Sequence, residues 1–170
     1  MSTNRTTATK KPRPRFALLA AALLASTLIA PSLLAHCQIP CGIYGDKGRF
    51  DIMREHVQTI EKSMNEIVAG SKASGANWNQ MVRWVQNKDS HADELTEIVT
   101  YYFLAQRIKP VQDGDEAAQA KYQKELTLLH HMIVFSMKAK QTTDLSNVKK
   151  LNELIDEFQE SYMGGGDHKH

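Results

Sequence analysis

"FDIMREHVQTIEKSMNEIVAG", residues 50–70, decides the fold. Its apolar side chains fall at Phe50, Met53, Val57, Ile60, Met64 and Ile67, in steps of 3, 4, 3, 4 and 3. That rhythm lays one stripe along an amphipathic helix, and Gly70 marks its end. Downstream the same period returns three times. A second helix is expected from about Trp78 to Ile108, carrying Met81, Val82, Val85, Leu95, Ile98, Val99 and Tyr102 and stopped by Pro110. The Asp113-Gly114-Asp115 turn leads into a third, with Tyr122, Leu126, Leu129, Ile133 and Met137 on one face. Thr143 or Asp144 can cap a fourth, striped by Val148, Leu151, Ile155, Phe158 and Tyr162 and ended by Gly164-Gly165-Gly166. Four such helices with short links predict an all-α, up-down-up-down four-helix bundle. No strand-like alternation competes, and no internal repeat is visible. The Met and aromatic stripes read as core rather than as a cofactor box. Their near-heptad spacing allows self-association.

Upstream of the bundle the chain changes character. Arg5, Lys10, Lys11, Arg13 and Arg15 occur in residues 1–15 with no acids, and Phe16 to Ala30 is apolar apart from Ser26 and Thr27. Pro31 and Ser32 break the run ahead of Leu33-Leu34-Ala35. A basic segment, an apolar segment and a small exit residue read as an export leader cleaved after Ala35. Leu33 stands where general signal peptidases prefer a small side chain, so either that enzyme tolerates it or a more specialised protease cuts here. The rival is a retained anchor, because Phe16 to Ala35 just covers the roughly 20 residues a bilayer needs. Pro31 and the many alanines count against it. The whole chain has 21 Lys+Arg and 19 Asp+Glu; losing five basic residues leaves 16 − 19 = −3. No basic stripe then remains to neutralise phosphates, which argues against a nucleic-acid partner.

The stretch "AHCQIPCGIYG", residues 35–45, contains both cysteines of the chain. Three readings compete. A lipoprotein site wants a small residue before the cysteine, and His36 is there instead. A Cys37–Cys41 disulfide suits an exported protein, but so short a loop constrains little and staples nothing to the helices. A metal site gains from cleavage, since a chain beginning at His36 has a free α-amine beside an imidazole and two thiolates. A tetrahedral zinc site would want a fourth side-chain ligand that this stretch does not supply. The His36 amine, the Cys37 amide nitrogen and the two sulfurs can instead form a square, which selects Ni(II) or Cu(II). Pro40 bends the intervening chain, and Gly42 leaves room for close backbone approach.

His36-Cys37-x-x-Pro40-Cys41-Gly42-x-Tyr44 resembles the nickel hook of nickel-dependent superoxide dismutases, and the helical body agrees with it. The resemblance implies four parts: a leader over 1–35, a hook over 36–48, a bundle over 49–163 and a flexible tail over 164–170. It implies one nickel per subunit, held by the His36 amine, the Cys37 amide and the Cys37 and Cys41 thiolates, with the His36 imidazole axial to Ni(III). The implied reaction takes superoxide to dioxygen and hydrogen peroxide. Tyr44 would order water or small anions at the mouth and shield sulfurs that peroxide oxidises. A homohexamer, a maturation protease and a periplasmic or extracytoplasmic location are also implied, with the membrane touched only by the uncleaved leader.

Some positions depart from the family. Gln38 stands where many members carry an acid. The glutamate that steadies the axial imidazole would fall near Ile52 or Met53, with Asp51 and Glu55 only neighbours. Arg83 and Lys88 are candidate cationic partners, although solvated helix-surface charges are the favoured reading for each. Tyr102 matches a second tyrosine near the family's site, or packs in the core. His56, His91, His130 and His131 form no i, i+4 pair and no Glu-x-x-His motif, so surface or core positions are expected. His168 and His170 in the tail can pick up metal adventitiously. The runner-up function is a non-catalytic nickel or copper carrier or sensor, for which Tyr44 and Gly42 have no evident use. A third is a membrane-anchored interaction protein that keeps its leader.

Overall fold

A computed structural model describes residues 45–75, 77–111 and 115–164 of the 170-residue chain. Residues 1–44, where the leader and hook are expected, and those beyond residue 164 lie outside the described residues. The described chain forms four helices: α1 (Asp46–Lys72), α2 (Trp78–Glu97), α3 (Glu116–Gln141) and α4 (Leu145–Met163). The second continues without a break into a π-helical stretch, Ile98–Arg107. Each helix packs on its sequence neighbours, and α1 closes on α4. The pairs Asp46 with Tyr102, His56 with His91, and Ser63 with Asn87 run in opposite senses along α1 and α2. The bundle is therefore the up-down arrangement that the four stripes predict. Among the described residues no helix is long and apolar enough to cross a membrane.

The α1 stripe packs as its spacing demands: Phe50, Met53, Val57, Ile60 and Met64 are fully buried. So do Val148, Leu151, Ile155, Phe158 and Tyr162 on α4, whose N-cap Asp144 accepts from the Ser146 amide at 2.9 Å. Phe50, Phe103 and Phe158 form an aromatic triangle with centroids 4.9–5.6 Å apart. Each such ring contributes about 1.5–3 kcal/mol by leaving water. Two stripes deviate from expectation. Val82 and Val85 are exposed, because the first half of α2 meets α1 through Met81 lying against Gly70. Met137 is exposed as well, since α3 turns Leu128, Leu129, Met132 and Ala139 inward instead.

Candidate metal centre

The predicted hook residues His36, Cys37, Gln38, Pro40, Cys41, Gly42 and Tyr44 lie outside the described residues. What is described is the start of α1, which follows that segment in the chain. Asp46 opens α1 two positions after Tyr44, at the helix end where a carboxylate is favoured by the backbone dipole. It is buried, at 9 % exposure. Among the described residues, three groups compensate its charge. The Tyr162 hydroxyl donates to Oδ2 at 2.9 Å, the Tyr102 hydroxyl donates to Oδ1, and Arg107 Nε lies 3.2 Å from Oδ1. Arg107 Nη2 also donates to the Tyr102 oxygen at 3.0 Å. The guanidinium carbons of Arg49 and Arg107 each sit 4.9 Å from the Tyr102 ring centre.

The fold collects these groups by bringing together the start of α1, the end of the π-helical stretch and the end of α4. The π geometry matters locally. Hydrogen bonds there span five residues, as from the Ile108 amide to the Phe103 carbonyl, so residues five apart stack. Tyr102 and Arg107 are five apart. Thr96 and Thr100 donate their hydroxyls to the carbonyls of Ala92 and Thr96 at the entry to this stretch, a side-chain competition that disturbs regular helix. Burial, followed by the bond to Asp46, raises the pKa of both Tyr162 and Tyr102. Both hydroxyls therefore stay protonated at neutral pH and serve Asp46 as donors.

Of the residues singled out from sequence, Tyr102 lies beside the start of α1, with its ring in the core and its hydroxyl in the polar cluster around Asp46. Asp51, Glu55 and Arg83 are exposed. Lys88 is not a solvated charge: it is 3 % exposed, and its ammonium donates to the Ala139 carbonyl at 2.8 Å, to the Lys140 carbonyl and to Asp89 at 2.9 Å. It caps the C-terminal end of α3. Asp46, Arg49, Arg107 and Tyr162 were not singled out from sequence. Asp46 carried a weak signal as an acid in a first helical turn; the others become site residues only when the helix ends meet.

The histidines divide into two cases. His130 and His131 are exposed on α3, as expected. His56 and His91 meet across α1 and α2, their Nδ1 atoms 2.8 Å apart. Burial lowers the His56 pKa, Glu94 opposes that shift, and His91 adds to it.

A family model for nickel-containing superoxide dismutase matches residues 31–165, most of the chain and all of the hook signature. The chain belongs to the nickel-containing superoxide dismutase family. It is an oxidoreductase that converts superoxide to dioxygen and hydrogen peroxide, with nickel as the cofactor of each subunit. No curated protein and no solved structure matches the chain. The donor set fits the ion: the matched residues include His36, Cys37 and Cys41, and nitrogen with thiolate donors suits nickel. The buried Asp46 cluster fixes the start of α1, five residues beyond Cys41 in the sequence of the dismutase.

Proposed function

We propose that superoxide dismutation takes place at residues 36–44 after removal of residues 1–35. The His36 amine and imidazole, the Cys37 amide nitrogen and the Cys37 and Cys41 thiolates would hold the nickel. The observation that carries this reading is the His-Cys-x-x-Pro-Cys-Gly-x-Tyr spacing inside the matched region, ending two residues before a buried anchor. Bound there, nickel supplies one-electron chemistry between Ni(II) and Ni(III). The remaining work belongs to the chain. Anionic sulfur and amide donors raise electron density at the metal, and hydrogen bonds around them tune it. Pro40 and Gly42 shape the loop. Gln38 holds a position without a carboxylate, so no acid acts there. Tyr44 orders water and small anions at the mouth and limits peroxide access to the sulfurs. Asp46, held by Tyr102, Tyr162 and Arg107, keeps the base of the loop from moving.

Cleavage after Ala35 by a maturation protease implies export to the periplasm or another extracytoplasmic space. A homohexamer is the assembly we infer. Trp78, Val82 and Val85, exposed one helical turn apart on α2, support self-association. Light scattering of the nickel-loaded protein would show six chains; a monomer would remove this part of the reading. The ligand assignment is tested by adding one residue ahead of His36. Superoxide turnover should vanish while helical content stays intact, and full turnover would mean that the amine is not a ligand. Cys37→Ser and Cys41→Ser should each abolish turnover and nickel retention. Tyr44→Phe should act more mildly, raising sensitivity to peroxide.

A further inference from the structure

His56 on α1 and His91 and Glu94 on α2 turn three metal-ligating groups toward one point. Their Nδ1, Nδ1 and Oε2 atoms are 2.8, 3.4 and 3.7 Å from one another. Ligands about 2.0–2.1 Å from a tetrahedral zinc ion lie about 3.4 Å apart, so the observed separations bracket that geometry. A proton shared between the two imidazoles explains only the shortest contact. It leaves Glu94 Oε2 aimed at both rings from distances too long for a good hydrogen bond. A divalent cation satisfies all three groups together. The site is also graded as a metal site needs to be: the His56 side chain is 12 % exposed, His91 28 % and Glu94 52 %, which leaves the fourth position open to water. Glu55 adds negative charge nearby. His56 lies ten residues past Asp46, or about 15 Å along the helix axis, so these ligands are separate from the base of the hook.

We propose that His56, His91 and Glu94 form a second metal site, selective for a borderline divalent cation such as Zn(II), that clamps α1 to α2. Two imidazoles and one carboxylate around an open position make a donor set common to zinc proteins. Binding at this site would add zinc to the nickel carried by each chain.

The test is equilibrium dialysis of the nickel-loaded protein against Zn(II), followed by metal analysis, and in parallel against Co(II) for its visible spectrum. The wild type should take up one more equivalent of zinc than His91→Ala, and Co(II) should give the intense bands of a four-coordinate site only in the wild type. Glu94→Gln, an exposed and conservative change, should weaken zinc binding by about tenfold or more. Both variants should keep their nickel content, superoxide turnover and helical circular dichroism. Zinc held by His168 and His170 would persist in both variants and so cancels in the comparison. Equal zinc uptake by wild type and variants, or no uptake by the wild type, would overturn the proposal.

Discussion

At the residue scale, Asp46 ties the start of α1 to the ends of two other helices. A buried carboxylate is tolerated when it is paired and hydrogen-bonded, and here two tyrosines and an arginine do both. Asp46→Asn keeps the volume but removes the charge opposite Arg107; we expect a loss of about 2 kcal/mol in stability by denaturant melt. Superoxide turnover should fall with it, because the loop then starts from a loosened base. An unchanged melting curve would mean that the cluster contributes nothing to the fold. The same residues predict a pH dependence. Tyr102 and Tyr162 have pKa values raised in the folded state, so above about pH 10 the unfolded chain gives up protons that the folded chain retains. Their contribution is fully present below that pH and is lost as it rises. Tyr162→Phe should flatten the alkaline limb of a stability–pH profile; a profile as steep as the wild type's would exclude Tyr162 as its source.

At the scale of elements, the parts legible in the sequence were those governed by one helix's own period. The α1 and α4 stripes are buried as their spacing requires, because each faces two neighbouring helices and needs one broad apolar face. Where a contact depends on another helix, the sequence was ambiguous. Val82 and Val85 continue an apolar pattern yet stay exposed, since the close approach at Gly70 is filled by Met81 alone. Lys88 reads as a surface charge in one dimension and is a buried helix cap in three. Replacing Lys88 with Met would leave the last carbonyls of α3 without their donor; about 2–3 kcal/mol should be lost in thermal or denaturant unfolding. A loss near zero would mean that water replaces the ammonium without cost. The π-helical stretch could not be read at all. Its five-residue spacing sets Arg107 over Tyr102 and so builds half of the Asp46 cluster, and no periodicity of 3.6 announces that. His56 and His91 were opaque for the same reason, being 35 positions apart in sequence and adjacent in the bundle.

At the scale of the whole molecule, the proposed function divides the work between bundle and hook. At one end of the bundle the first residue of α1 is hydrogen-bonded and ion-paired to the π-helical stretch and the last turn of α4. In the proposed reading the hook would supply the soft donors, since both cysteines of the chain lie in residues 36–44. Membership of the nickel superoxide dismutase family fixes the metal and the reaction. In the proposed reading one ligand would be created by proteolysis, because an amine on His36 exists only after the bond to Ala35 is cut. The most direct measurement is the intact mass of the protein isolated from its native compartment, paired with its metal content. The account predicts a chain beginning at His36 that carries one nickel ion in its hook. An active, nickel-containing protein that still carries residues 1–35 would contradict it.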